Sequence, residues 1–255
     1  MLIKFIQVNI YKGKYLDALV DFLKSENPDI ISMQEVTTLE NNLYEDKSVN
    51  LFELLKQRLG YNGVFHADVV LESNPDAFFG NAVLSKWPIE KSQVVLLKTF
   101  RPLTKLEYEK NAGNVWGLLG RHMLDATIDL GGLKIHAISV HGRRIAPPSD
   151  DSENVRQAQV MADHLKSLGE QDYVLGGDFN MPPGTKTIGE ISAVAKNLMD
   201  GLNIKQTLNP RVHELGNKGY LVDFIFCSKH FKLLSLKVPE VTVSDHLPVI
   251  AELEI

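Results

Sequence analysis

Two kinds of strand are written into this one chain, and together they narrow what it can fold into. Leu124, Ala126, Ile128 and Leu130 alternate with Asp125, Thr127 and Asp129; Gly131-Gly132 follow, and an apolar stretch resumes from Leu133 to Val140. Alternation around a glycine turn predicts a β-hairpin with one buried face. Tyr173-Val174-Leu175 instead forms an uninterrupted apolar run, the pattern of a strand covered on both faces. Between such runs lie helical stripes. Leu16, Leu19, Val20 and Leu23 precede the stop signal Asn27-Pro28, and Leu51, Leu54, Leu55 and Leu59 end at Gly60. Val155, Ala158, Ala162 and Leu165 follow the cap-capable Asp150-Asp151-Ser152-Glu153 and end at Gly169. Further strands are predicted over Leu2 to Ile10, from Ile30 to Met33, over Asn81 to Ser85, and in three closing runs near Val222 to Cys227, Phe231 to Leu236 and Leu247 to Leu253. Helices mixed with both strand types imply an α/β sandwich with mixed sheets rather than a doubly wound parallel sheet.

Length and composition bound the function. The 255 residues are expected to form one domain, with 44% hydrophobic and 23% charged residues as in ordinary soluble proteins. No apolar window reaches the roughly 18 residues of a membrane span, and Met1-Leu2-Ile3-Lys4 runs into a strand without a leader layout, so a cytoplasmic location is expected. The single Cys227 excludes a disulfide framework and a multi-thiolate zinc site. A net charge of -5 argues against broad binding to a polyanion, because backbone affinity for nucleic acid comes from clustered Lys and Arg. No obligate protein partner is evident. Two long loops stand out as binding elements, Lys98 to Val115 and Gly142 to Glu153, the latter carrying Arg143 and Arg144.

Polar residues recur where apolar strands end. Asn9 follows the first strand, Glu35 the second, and His141 closes the hairpin's return strand. Gly176-Gly177-Asp178-Phe179-Asn180-Met181-Pro182-Pro183 follows Tyr173 to Leu175, Asp223 stands in Val222-Asp223-Phe224-Ile225-Phe226, and Asp245-His246 precedes Leu247-Pro248. Read as strand, Asp178 and Asn180 face the same side and act on one ligand atom. Each residue alone has a plainer reading: Asp178 and Asn180 as turn formers, Glu35 as a solvated side chain, His141 as a structural histidine. Taken together, charged groups at so many strand ends imply that something uses them.

These motifs resemble, in content and order, the endonuclease/exonuclease/phosphatase superfamily: the early Asn9, Gln34-Glu35-Val36, Gly80 to Ser85, His141, Arg156 with Gln159, Gly177-Asp178-Phe179-Asn180, Asp223 to Phe226, and Ser244 to Pro248. The resemblance runs from Asn9 through His246 and implies a DNase I-like, four-layered α/β sandwich of two packed mixed β-sheets flanked by helices. It implies a metal-dependent hydrolase of phosphoester bonds, a phosphodiesterase, nuclease or phosphatase that attacks with an activated water. Asn9, Glu35 and Asp245 would hold Mg²⁺ or Mn²⁺, a hard-oxygen donor set suited to either ion. Asp178 would activate the water and Asn180 would hold it or the phosphate. His246 would serve as acid/base or phosphate ligand, oriented by Asp223, and His141 would donate to a phosphate oxygen. Arg143 and Arg144 are substrate-binding candidates, or else solvated loop charges, and Arg156 is expected to be structural. The implied substrate is phosphorylated: a nucleic acid, a nucleotide, or a phospholipid or inositol phosphate headgroup. The alternative is a catalytically silent phosphate-binding or scaffold protein that keeps the fold. Tyr11, where repair endonucleases of the family carry an acidic residue or Asn, speaks against that branch. Val140 and Gly142 also depart from the Thr-His-Leu pattern found in several other branches.

Overall fold

A computed structural model describes residues 1–39, 41–109 and 118–255, with the backbone alone at position 109. In chain order, β1 (Leu2–Asn9) leads to α1 (Leu16–Glu26), β2 (Ile30–Thr37), α2 (Leu51–Leu59), β3 (Asn62–Leu71), β4 (Asn74–Ser85) and β5 (Ile89–Lys98). A short α3 (Lys105–Glu109) precedes the hairpin of β6 (Arg121–Asp129) and β7 (Lys134–His141). Then come α4 (Ser152–Ser167), β8 (Asp172–Asp178), α5 (Lys186–Ser192), the two-residue β9 (Lys196–Asn197), β10 (Asp223–Cys227), β11 (Lys232–Lys237) and β12 (Val249–Glu254).

The strands form two six-stranded sheets, ordered β11-β12-β1-β2-β4-β3 and β5-β6-β7-β8-β10-β9. Each is mixed: β1 pairs in parallel with β2 and β7 in parallel with β8, while their other neighbours run antiparallel. The two sheets pack face to face, because Phe5, Ile30 and Val83 share one buried cluster with Met123, Ala137, Val174 and Ile225. On the outer face of the first sheet, the α1 stripe Leu16, Leu19, Val20 and Leu23 buries against Ile6, Val8, Ile31 and Met33. Each such side chain contributes about 1.5–3 kcal/mol by leaving water. On the outer face of the second, Ala158, Met161 and Leu165 of α4 and Ile188 of α5 join the inter-sheet cluster's residues. Helix, sheet, sheet, helix is the four-layered DNase I-like sandwich.

The helix ends follow local chemistry. Asp151 caps α4 by accepting the Asn154 N–H, Asn50 caps α2 by accepting that of Glu53, and left-handed Asn27 and Gly60 close α1 and α2. The sheets touch closely where the site lies. Ser32 Oγ donates to the Gly176 carbonyl at 2.9 Å, and a Cβ at Gly176 would stand 2.7 Å from the Phe5 ring, so no side chain fits there.

Three sequence expectations change in detail. The strand expected over Asn81 to Ser85 begins earlier, at Asn74, and pairs with β3, which lacks a clear period in sequence. Of the expected loop Lys98 to Val115, Lys98 closes β5 and 105–109 is helical, while 110–117 lies outside the described residues. Asp178 and Asn180 are not two residues of one strand: β8 ends at Asp178, and Asn180 turns into the left-handed region at φ 55°. No helix among the described residues is long and apolar enough to cross a membrane.

Candidate active site

Strand register lines up the site. His141 on β7 stands opposite Asp178 on β8, and Asp223 on β10 stands opposite Asp178 from the other side. Three ionisable side chains from distant parts of the chain thus sit in adjacent strands at one level. Parallel β1 and β2 deliver Asn9 and Glu35 from the facing sheet. Glu35 reaches the cleft through a bulge: the β2–β4 register slips between Met33 and Val36, and Glu35 takes φ 56°. A left-handed non-glycine residue costs about 1–3 kcal/mol, so the surrounding sheet must enforce it.

Asp178 is the hub. Its Oδ2 accepts from Asn9 Nδ2 at 3.1 Å and lies 3.6 Å from His141 Nε2 and 3.7 Å from His246 Nε2, while its Oδ1 accepts the Asn180 N–H at 3.0 Å. Burial and the nearby Asp223 carboxylate push its carboxyl up to about 7, against the opposing pull of His246 and the Asn9 bond. His246 Nδ1 bonds Asp223 Oδ2 at 2.9 Å, and Asp223 Oδ1 accepts from Gln7 Nε2 at 3.1 Å. Burial works against an imidazolium at His246, but Asp223, Asp178 and Asp245 outweigh it and hold its pKa well above the ordinary value. His141 goes the other way: burial, then Arg121 and His246, drive it well below the ordinary value, and among the described residues its Nδ1 has no hydrogen-bond partner. The two histidines that flank Asp178 are thus driven in opposite directions, His246 toward the imidazolium and His141 toward the neutral ring.

Asn180 is fixed by its backbone. Its Nδ2 donates to the Gly142 carbonyl at 3.2 Å, and that carbonyl also receives Arg121 Nε at 3.1 Å. Gly142 N–H in turn donates to the Asp178 carbonyl at 2.7 Å. A Cβ at Gly142 would lie 2.3 Å from the Phe179 carbonyl, which explains glycine where other branches place leucine. Arg121 is thus a fully buried cation that holds this loop.

These groups open into one polar cleft of about 310 Å³, lined by Glu35, His141, Asp178, Asn180, Asp245 and His246 together with Tyr11, Lys12, Arg144 and His213. Asn9 lies beneath it, its Oδ1 accepting the Tyr11 N–H at 3.1 Å. Arg144 reaches the rim and pairs with Glu214. Arg143 does not line this cleft: it bonds Asp151 and Asn154 at the start of α4, beside a separate small cavity. Arg156 pairs with Glu153 and donates to the Leu97 carbonyl, a structural tie between α4 and β5.

His213, Tyr11 and Lys12 line the cleft although no local sequence pattern gives them a role in the site. His213 sits alone in a polar segment, yet its ring meets that of His246 edge-on with centroids 5.6 Å apart, and burial with the His246 charge pushes its pKa down to about 4. Tyr11 and Lys12 come in on a turn in which Tyr11, Lys12 and Gly13 all have positive φ, at 48°, 51° and 74°. Only the final glycine of that turn has a local sequence signature.

The donor chemistry fits a divalent cation. Asp245 is pushed up to about 6 by burial and by the Glu35 carboxylate, with His246 opposing, the like-charge crowding that a bound cation relieves. One ligand atom each from His213, Asp245 and His246 lie within 4.8 Å of one another, and so do those of Asp178, Asp223 and His246. This His/Asp cluster is a candidate metal-binding site.

Fold and site define a class, the metal-dependent phosphoester hydrolases built on a DNase I-like sandwich. Residues 6–246 match the Endonuclease/Exonuclease/phosphatase family, and the chain belongs to it. Solved structures agree in fold. An endonuclease/exonuclease/phosphatase from Bacteroides vulgatus superposes with a TM-score of 0.76 at 18% identity, covering 100% of this chain and 99% of that one. A mannosyl-6-phosphatase from Bacteroides thetaiotaomicron gives 0.72 at 17% identity, over 99% and 100% of the two chains. D. rerio TDP2 complexed with a single-strand DNA product gives 0.69 at 14%, over 100% and 99%. No curated protein matches the sequence.

Proposed function

We propose that this hydrolase uses Mg²⁺ or Mn²⁺ and acts on a phosphate carried by a small molecule or at the end of a larger one. The observation that carries the reading is the cleft: polar and about 310 Å³, it suits a phosphate and its immediate substituents rather than a duplex. Glu35 and Asp245 would hold the ion, with the second lone pair of Asn9 Oδ1 in support. When bound, the ion supplies charge neutralisation and Lewis acidity at the phosphoryl group.

The chain's own groups divide the remaining work. Asp178, its carboxyl raised to about 7, takes the proton of the attacking water at Oδ2. Asn180 spends one amide hydrogen on Gly142 and keeps a second hydrogen and its Oδ1 for the water or the phosphate. The His246 imidazolium, held by Asp223, donates to the oxygen on which negative charge develops. Neutral His141 donates a hydrogen bond to a non-bridging oxygen without adding charge. Arg144 at the rim contacts the substrate beyond the reacting phosphate; Arg143, tied to α4, supports the loop that carries it.

The test is hydrolysis of p-nitrophenyl phosphate and bis-p-nitrophenyl phosphate with Mg²⁺ or Mn²⁺, beside an Asp178→Ala control. The reading expects metal-dependent turnover that falls about 10²- to 10⁴-fold in the variant. Wild-type turnover no greater than that of the variant on either substrate refutes it.

A further inference from the structure

Lys12 lines the cleft, and the reaction above gives it no role. Three consecutive left-handed residues, Tyr11, Lys12 and Gly13, bring it there. The turn is enforced from several directions: Asn9 Oδ1 accepts the Tyr11 N–H, the Lys12 carbonyl accepts from Leu43 N–H at 2.7 Å, and a Cβ at Gly13 would stand 2.4 Å from Leu51 Cδ1. Strain maintained this way at a cleft wall is characteristic of functional positions. The ammonium then passes between two aromatic faces, 5.2 Å from the Tyr108 ring centre and 5.7 Å from that of Phe79. Among the described residues no carboxylate lies within ion-pair distance of its nitrogen. Lys14, two residues on, instead stacks over Tyr11 and Tyr15.

A lysine meant for solvent has no need of such a turn, and one meant for structure finds a carboxylate. Ring faces hold the charge in place without neutralising it. Burial works against its ammonium form, but Tyr108 and then the Glu35 carboxylate favour it and outweigh the burial. Once a divalent ion claims Glu35, the Lys12 charge is left for a ligand.

Building on the hydrolase reading, we propose that Lys12 is a specificity-determining residue that selects substrates bearing a second negative charge beside the reacting phosphate. That charge has two chemical sources. It is either the second ionised oxygen of a phosphomonoester dianion or a phosphate group adjacent to a scissile diester.

Wild type, Lys12→Asn and Lys12→Arg are compared with Mg²⁺ on p-nitrophenyl phosphate, bis-p-nitrophenyl phosphate, and a thymidine dinucleotide with and without a 5′-phosphate. Binding of inorganic phosphate is measured by calorimetry. Asn tolerates the left-handed turn and removes the charge, Arg keeps the charge, and Lys12→Gln replaces Lys12→Asn if the latter does not fold. The proposal expects phosphate affinity to fall about tenfold to a hundredfold in Lys12→Asn, the scale of a lost hydrogen bond to a charged group. The preference in kcat/KM for the more highly charged member of a substrate pair falls in parallel, through KM, and Lys12→Arg restores most of it. A fall in the monoester-to-diester ratio assigns the charge to the reacting phosphate. A fall confined to the dinucleotide pair assigns it to a neighbouring phosphate. Equal losses on all four substrates, or unchanged phosphate affinity in a folded variant, overturn the proposal. If the wild type turns over none of the four, the hydrolase reading fails, while phosphate calorimetry still decides for or against Lys12.

Discussion

Replacing Asp223 by Asn removes a charge, leaves the volume almost unchanged, and separates the electrostatic role of this residue from its packing. Asp223 is fully buried and receives two donors, His246 Nδ1 at 2.9 Å and Gln7 Nε2 at 3.1 Å. An asparagine offers one accepting end and one donating end, so while His246 stays an imidazolium one of these donors must face another N–H. Gln7 cannot flip to relieve the conflict. Its amide is locked to Gln34 by a reciprocal pair of bonds, at 2.7 and 3.0 Å, and Gln34 is itself tied to Ser32 and Ser139. The variant thus loses a charge-assisted hydrogen bond, worth about 1.5–3 kcal/mol, and gains an unsatisfied buried donor at about 1–3 kcal/mol. A net loss of about 2.5–6 kcal/mol is a large part of the roughly 5–15 kcal/mol that holds a domain folded. At about 2–4 °C per kcal/mol for a protein of this size, the melting temperature falls by about 5–24 °C. In catalysis, His246 loses the first of the carboxylates that keep it charged, so its pKa drops and the alkaline limb of the pH–rate profile moves to lower pH. The assays are calorimetric melting and metal-dependent hydrolysis of p-nitrophenyl phosphate across pH, with an expected fall in kcat/KM of about 10²- to 10⁴-fold at neutral pH. A melting temperature within 1 °C of wild type refutes the hydrogen-bond argument. A kcat/KM within about threefold of wild type, with an unmoved alkaline limb, refutes the role given to His246.

Glu35→Gln keeps the shape of the bulged side chain and removes a carboxylate from the proposed metal ligands, so the Mg²⁺ concentration for half-maximal activity rises about tenfold or more. A metal titration that superposes on wild type contradicts that assignment. Away from the cleft, the buried Asp125 accepts from His136 at 2.8 Å and from His164 and Gln93 at 2.9 Å. Burial alone would raise its carboxyl, but those three donors hold it well below the usual range, and the bond to Asp125 raises His136. The Asp125 contribution to stability is present above an unfolded pKa of about 3.9, and the His136 contribution is complete only below about 6.5. The gap in melting temperature between wild type and Asp125→Asn is therefore widest between about pH 4 and 6.5 and narrows toward pH 9. A gap that widens from pH 6 to pH 9 would show the sign to be wrong.

Local pattern along the chain accounts for the elements and for the chemistry carried at their ends. Helix stripes such as Leu16, Leu19, Val20 and Leu23 report their burial through period alone, and Asn9, His141 and Asp178 each close an apolar run whose direction sets where the side chain emerges. Which of these residues meet is set by long-range pairing. The register that puts His141, Asp178 and Asp223 side by side depends on pairing among strands far apart in the chain, and no local pattern encodes an offset between them. The same holds for residues that act through an imposed backbone. Glu35 and Lys12 occupy left-handed conformations that nothing in their side chains favours, because a bulge and a packed turn impose them. It holds also for His213, which is isolated in sequence and reaches the cleft only because its segment folds against His246. Arg143 and Arg144 are neighbours in the chain, yet one turns to α4 and the other to the cleft. A loop's side chains are partitioned by what packs on either side of it, and that partner is known only once the whole chain has closed around it.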